Sequence, residues 1–323
     1  MYRSILTPLD GSAFAEHALP LARSIARRAN ATLRLVLVHV PIEGKQVDYI
    51  SSKVTVDEAL DKRLKEYEQA YLSKVVENLA TDMTTLVTAS LLDGQPGQVA
   101  ETLNNFIATA GIDLIVMTTH GYGALNRFWL GSVTDWLVRH ASIPILLVRS
   151  RETEEFGPNL SQEQIFQHIL IPLDGSTLAE QVLEYAIELG KLMEADYTLL
   201  RVIEPMTPID YSATQYPIQL EQQLLDQPQR EAEAYLTGLA ERLQAQARAR
   251  DSVSLRIQTR VVIGKNPSPI ILEESSKHGI DLIAMETHGY SGLTRLLIGS
   301  VADKVLRGTS VPILLHCPHH ETS

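Results

Sequence analysis

Five blocks of this 323-residue chain occur twice in the same order, and that repetition leaves few folds open to it. Ile5-Leu6-Thr7-Pro8-Leu9-Asp10-Gly11-Ser12 returns as Ile169-Leu170-Ile171-Pro172-Leu173-Asp174-Gly175-Ser176, 164 positions on. Gly111-Ile112-Asp113-Leu114-Ile115 returns as Gly279-Ile280-Asp281-Leu282-Ile283, and Thr119-His120-Gly121-Tyr122 as Thr287-His288-Gly289-Tyr290. Leu130-Gly131-Ser132-Val133 returns as Ile298-Gly299-Ser300-Val301, and Pro144-Ile145-Leu146-Leu147 as Pro312-Ile313-Leu314-Leu315, these last four all at an offset of 168. Chance does not produce that pattern; a duplicated domain does. The expected organisation is a first domain over 1–150, a linker over 151–164, a second domain over 165–318 and a tail over 319–323. The linker reading rests on a polar stretch with Glu152, Glu154, Glu155, Gly157 and Pro158 and no apolar periodicity. Its shortness predicts that the two halves pack together.

Within each half, short apolar runs alternate with helical spacing. Ser4–Leu9, Leu33–Val40, Thr85–Leu91, Leu114–Thr118 and Ile145–Val148 read as strands. Ala18, Ala22, Ile25, Ala26 and Ala29 mark a helix that Pro20 is expected to kink. Further helices are expected around 56–80, 98–110 and 132–140. The second half repeats the order with a longer insertion after Val202, whose Pro205, Pro208, Pro217 and Pro228 predict that it begins as a loop. Repeated strand–helix–strand units imply parallel sheets covered on both faces. The aliphatic bias agrees, since only 6% of residues are aromatic while 45% are hydrophobic. The expectation is an α/β protein of two five-stranded, doubly wound domains in tandem.

Charge and cysteine content narrow the function classes. A net charge of −11 opposes the phosphate field of nucleic acid, so no DNA or RNA partner is expected. One cysteine, Cys317, permits no intrachain disulfide and fits a reducing compartment. No apolar run approaches the roughly 20 residues needed to span a bilayer, and the amino terminus lacks a signal-peptide pattern. A cytoplasmic protein without a membrane partner is the expectation.

In an open parallel sheet, ligands sit beyond the carboxyl ends of the strands where the strand order reverses. Two segments point there in each half. Pro8 to Ser12, and Pro172 to Ser176, follow the first strand; Asp10 or Asp174 can accept from a purine amine or a ribose hydroxyl. The same Asp-Gly-Ser is also ordinary turn chemistry, with Ser12 or Ser176 capping the next helix. Gly121 precedes Gly131-Ser132 by nine intervening residues, as Gly289 precedes Gly299-Ser300. The later pair opens a helix, whose unpaired amides and dipole favour a phosphate. Alternatively, Ser132-x-x-Asp135 and Ser300-x-x-Asp303 fit a capping box.

These motifs resemble the universal stress protein family over essentially the whole length, twice. Pro-x-Asp-Gly-Ser, Thr-His-Gly, Leu/Ile-Gly-Ser-Val and the closing Pro-Ile-Leu-Leu carry the likeness. The resemblance implies a Rossmann-like, adenine-nucleotide-binding type of sheet, with the halves packed as an internal pseudo-dimer and a homodimer open to it. It implies an adenine nucleotide as ligand, with Mg accompanying ATP. By the family pattern, the base would meet Asp10 and Val40 with Met117 beside it, the phosphates would meet Gly121, Gly131, Ser132, Val133 and Thr134, and Pro8 and Thr118 complete the set. In the second half the matching residues are Pro172, Asp174, Val202, Met285 and Glu286, then Gly289, Gly299, Ser300, Val301 and Ala302. The chain departs from the family's first motif glycine in both halves, at Thr118 and at Glu286. Thr118 adds a Cβ and a hydroxyl. Glu286 adds a charge that would oppose a phosphate or accept from a ribose. Ala302 in place of Thr134 removes a hydroxyl donor. The first half is therefore expected to be the better nucleotide site.

Other chemistry has weaker support. His120 and His288 flank the glycine loop, and His316, Cys317, His319 and His320 gather metal-capable ligands at spacings foreign to closed zinc sites. Gly264-Lys265 lacks the rest of a phosphate loop, and no nucleophile elbow is present. The function this implies is a stress-response protein that binds an adenine nucleotide in a regulatory role. A nucleotide-free interaction module and a slow ATPase are the alternatives.

Overall fold

Ser4–Leu9 form β1, and Ile5, Leu6 and Leu9 on it are buried. The structure, a computed structural model, describes residues 2–44, 55–56, 58–80, 85–119, 130–149, 158–160, 163–204, 218–287 and 298–317. Two compact units divide the chain, Met1–Ile165 and Phe166–Ser323.

In the first unit β1 leads through a single helical turn, Ala13–Glu16, into α1 (Leu19–Ala29), then β2 (Thr32–His39), α2 (Glu58–Leu79) and β3 (Val87–Asp93). There follow α3 (Val99–Ala110), β4 (Leu114–Thr118), α4 (Ser132–His140) and β5 (Ile145–Val148). A two-residue antiparallel ladder, Glu43–Gly44 with Thr55–Val56, lies between β2 and α2. Among the described residues the strands run in the order β3-β2-β1-β4-β5, every pair parallel. β4 and β5 are buried at every position, as strands covered on both faces must be.

The second unit has the same plan: β6 (His168–Pro172), a 3-10 turn at Ala179–Gln181, α5 (Val182–Met193), β7 (Asp196–Ile203), α6 (Ile218–Asp251) and β8 (Ile257–Ile263). It closes with α7 (Pro267–Lys277), β9 (Leu282–Glu286), α8 (Ser300–Gly308) and β10 (Ile313–His316). Its order is β8-β7-β6-β9-β10, again all parallel. Both units are thus doubly wound, and the order reverses between β1 and β4 and between β6 and β9.

Two local expectations change. Pro20 sits in the first turn of α1, where a helix has no use for an amide donor, so nothing is kinked. Pro228 lies inside α6, a 34-residue helix that begins at Ile218; the prolines at 205, 208 and 217 fall outside the described residues. Past Pro228 the helix is held by a buried face of Ala232, Leu236, Leu239 and Ala240.

The end of the connecting segment is fixed to the first unit. The Gln164 amide donates to Ser24 Oγ at 3.0 Å, and Glu163 pairs with Arg27 at 2.5 Å and Arg28 at 2.9 Å on α1. In the second unit, Gly190 of α5 lets the ring of Tyr197 on β7 lie against the helix. A Cβ at Gly190 would stand 2.6 Å from two ring carbons. Tyr197 is fully buried and donates to the Ile187 carbonyl at 3.0 Å, so it cannot swing aside without losing that bond. Gly190→Ala is expected to destabilise the protein by about 1–3 kcal/mol by overpacking, measured as a lower urea midpoint; an unchanged midpoint would show that the ring relocates freely.

Candidate functional site

The carboxyl edge of each sheet is organised from β1 and β4 in the first unit, and from β6 and β9 in the second. Beyond β1, Asp10 Oδ1 accepts from the Ser12 amide at 3.0 Å and the Ser12 hydroxyl at 2.5 Å, while Ser12 Oγ accepts from the Ala15 amide at 3.2 Å. Asp174, Ser176 and Ala179 repeat this at 2.9, 2.6 and 3.1 Å. Gly11 and Gly175 carry the left-handed backbone that closes the turn, with φ of 82° and 81°. The turn-and-cap reading of Asp-Gly-Ser is therefore present in both units. It occupies Oδ1 of each aspartate, and Asp10 remains exposed.

Beyond β4, the Gly131 amide donates to the Thr119 carbonyl at 3.1 Å, which pins the start of α4 to the strand exit. Gly299 does the same to Thr287 at 2.7 Å. These glycines, not Ser132 and Ser300, are the N-caps, with φ, ψ of −58°, 149° and −58°, 146°, and neither helix has a side-chain cap. The capping box does not form. Asp135 and Asp303 instead reach one turn along the helix to Arg139 and Arg307, at 2.8–2.9 Å. The first amide to find an intrahelical acceptor is that of Asp135, to Gly131 at 2.9 Å, and in the second unit that of Asp303, to Gly299 at 2.9 Å. Ahead of each, the amides of Ser132, Val133 and Thr134, and of Ser300, Val301 and Ala302, have no acceptor among the described residues. Each unit thus has three adjacent N–H groups at the positive end of a helix dipole, beside the reversal in strand order.

Several expected site residues lie elsewhere. Thr134 is 3% exposed and its hydroxyl donates to the Thr118 carbonyl at 3.3 Å, so its side chain serves the core and only its amide faces the edge. Ala302 accordingly costs the second unit a core hydrogen bond, not a phosphate donor. Glu286 is buried with its carboxyl on His316 Nδ1, at 2.9 and 3.1 Å. It faces neither a phosphate nor a ribose. Burial pushes the Glu286 carboxyl up to about 9 and the His316 imidazole down to about 4, so the pair is neutral at pH 7. Tyr185 packs on the imidazole with ring centroids 4.5 Å apart. The strand register places Thr118 opposite Val148 and Glu286 opposite His316, so this polar pair replaces an aliphatic–hydroxyl pair of the first unit. His316 is therefore a β10 residue and not part of a metal-binding tail.

The register also corrects Val202. Pro8 pairs with Val36 and Pro172 with Leu200, which makes Val202 the counterpart of Val38, inside the strand, and Glu204 the counterpart of Val40. Val40 is half-buried one residue past β2; Glu204 is exposed. Met117 and Met285 are buried at the penultimate positions of β4 and β9. Pro8 and Pro172 are partly exposed near the strand exits. Gly121, Gly289, His120, His288, His319 and His320 lie outside the described residues.

Sequence reasoning missed three further groups at this edge. Tyr71 of α2 donates to Glu16 at 2.9 Å, and Tyr235 of α6 to Glu180 at 2.9 Å, a duplicated tie between the second helix and the turn after the first strand. Burial first, and the neighbouring carboxylates next, push both phenols above their ordinary range. Tyr71→Phe or Tyr235→Phe is expected to lower stability by about 0.5–1.5 kcal/mol, read from urea unfolding; no change would mean that water replaces the bond. In the first unit alone, fully buried His39 bonds Glu68 at 2.7 Å and Asp61 at 3.0 Å; the residues 164 positions on are Ile203, Ala232 and Leu225. In the second unit alone, Arg201 stands where the first has buried Leu37, and its Nη1 donates to the Leu173 carbonyl at 3.2 Å. The tyrosine ties were legible as a further repeat at the same offset. A lone arginine or histidine inside a strand pattern gives no such signal.

The fold and this edge define a tandem of doubly wound α/β domains, each with an uncapped helix start at its switch point. The chain belongs to the universal stress protein family, whose profile matches residues 1–149 and 165–316. It is 25% identical over 319 residues to a universal stress protein of Mycobacterium tuberculosis, covering 96% of this chain and 94% of that one. It is 29% identical over 212 residues to one of Mycobacterium bovis, covering 63% of this chain and 61% of that one. The crystal structure of a universal stress protein from Archaeoglobus fulgidus superposes with a TM-score of 0.64 at 17% identity, over 98% of this chain and 97% of the other, which shows the shared two-domain fold. Among the described residues no helix is long and apolar enough to cross a membrane, and no cluster of three His, Cys, Asp or Glu side chains could hold a metal.

Proposed function

We propose that this protein binds an adenine nucleotide at the switch point of one or both units, in a regulatory and not a catalytic role. The observation that carries the reading is the set of uncapped amides at Ser132–Thr134 and Ser300–Ala302, each preceded by a glycine at the N-cap, which adds no Cβ there. A nucleotide phosphate fits that donor set, and the carboxylate of Asp10 or Asp174 lies at the exit of the neighbouring strand, where a base or ribose would meet it. Glu286, turned into the core and neutral, places no charge against the phosphates, so the second unit stays competent despite its departure from the family motif. A Mg ion would arrive with ATP.

Isothermal titration of the pure protein with ATP, ADP and AMP tests the reading. Saturable heat with a matching rise in melting temperature supports it. Neither heat nor thermal shift at about millimolar nucleotide, a concentration that detects even weak sites, would leave the chain as a nucleotide-free interaction module. That second reading draws on the way the Asp-Gly-Ser turns engage their own aspartates.

A further inference from the structure

The two switch points are not equivalent, and the difference lies at the end of the second strand. Arg201 on β7 extends along the edge until its guanidinium lies beneath the Asp174-Gly175-Ser176 turn. Its Cζ, Nη1 and Nη2 each stand 3.3 Å from where a Gly175 Cβ would be, whereas the same point on Gly11 has nothing within 4 Å. One N–H is held by the Leu173 carbonyl. Among the described residues the guanidinium has no carboxylate in ion-pair range, and the residue is partly exposed. Glu204, exposed where the first unit has Val40, removes an apolar wall from the same strand end. The second unit has therefore lost apolar surface on that side and gained an oriented cation.

We infer that Arg201 makes the second unit selective for a nucleotide that carries a phosphate on its ribose in addition to the 5′ phosphate. A guanidinium offers a planar fork of donors suited to phosphate. In doubly wound folds, an arginine near the end of the second strand is where a ribose phosphate is accommodated, while an acid there reads a ribose hydroxyl. With the 5′ phosphate on the α8 amides, the ligand spans the reversal from β9 to β7, and Glu204 accepts from the ribose hydroxyl that is not phosphorylated. The first unit, with Leu37 and Val40, has no counterpart to this cation.

This inference rests on the nucleotide reading above, and the experiment separates the two. The full chain carrying Gly131→Asp, which closes the first site, is titrated with AMP, adenosine 2′,5′-bisphosphate and adenosine 3′,5′-bisphosphate. One bisphosphate is expected to bind about tenfold more tightly than AMP or better, and the isomer that does so identifies the phosphorylated hydroxyl. Arg201→Leu, which installs the first unit's residue, is expected to bring that ratio to about one, and Arg201→Lys to retain part of it. Equal affinities in the parent, or a preference that survives Arg201→Leu, would overturn the inference while leaving nucleotide binding in place. AMP binding that tightens in Arg201→Leu would also overturn it, by showing that the guanidinium plugs the site. If no nucleotide binds to this variant or to the unaltered chain, the nucleotide reading falls and the inference with it.

Discussion

Gly131→Asp is expected to abolish nucleotide binding by the first unit without loss of folding, and Gly299→Asp to do the same in the second. Both glycines hold the extended backbone of an N-cap, at φ −58°, which any residue can adopt. An aspartate there accepts from the amides of the first turn, satisfying the donors that a phosphate would use. Against glycine, such a cap stabilises a helix by only a few tenths of a kcal/mol. Its charge would meet a bound phosphate at a cost of about 1–4 kcal/mol at 4 Å, depending on local dielectric. With the amides lost as well, affinity should fall by roughly 100-fold or more. Titration calorimetry reads the affinity, and a thermal melt run alongside should show an equal or slightly higher midpoint. Unchanged affinity with an intact fold would mean that phosphates are held elsewhere.

The second large effect is expected from the buried pair at the ends of β9 and β10. Glu286 is pushed up to about 9 from an ordinary 4.5, so between those values the folded protein keeps a proton that the unfolded chain has released. Rising pH then favours the unfolded state. His316 is pushed down to about 4 from 6.5, so between those values the unfolded ring binds a proton that the folded one refuses, and rising pH favours folding. The two slopes oppose each other from about pH 4.5 to 6.5. Above 6.5 only the glutamate acts, and stability of the second unit should decline toward pH 9, with a slope no steeper than about 1.4 kcal/mol per unit. Urea unfolding at pH 6.5, 7.5 and 8.5 measures it. Glu286→Thr with His316→Val installs the residues of the first unit, Thr118 and Val148, and should flatten the decline. Either single change should destabilise more than the pair together, because it strands one buried polar partner. Parallel pH profiles for parent and double variant would refute the assignment.

Much of the fold was legible because the duplication supplied each signal twice. β1, β4, β5 and α4 occupy the very residues the apolar runs and the glycine-serine pairs indicated. The helix start at Gly131-Ser132 could be read as an anion site because that property belongs to the backbone, which the motif specifies. Side-chain direction could not be read in the same way. The partner of Glu286 lies 30 residues on, in a strand paired only in three dimensions. The motif marks Thr134 as a donor at the edge, whereas its hydroxyl bonds the Thr118 carbonyl in the core. Val202 stands two residues short of Val40's true counterpart, Glu204, because the offset between the halves is set by strand pairing and a valine recurs on both strands. α6 runs through Pro228 because its buried face beyond that point outweighs the local propensity that suggested a loop.

The central place of β1 has a consequence during synthesis. One edge of β1 is covered by β2, which ends at His39, but the other waits for β4, whose last residue is Thr118. At roughly 5–20 residues per second, the nascent chain carries an unpaired apolar strand edge for about 5 to 20 seconds before its mate emerges. Ribosome-arrested chains ending near residue 100 should therefore recruit holdase chaperones more strongly than chains long enough to have extruded β5. The second unit meets the same delay with β6 and β9, lengthened by the residues between β7 and β8.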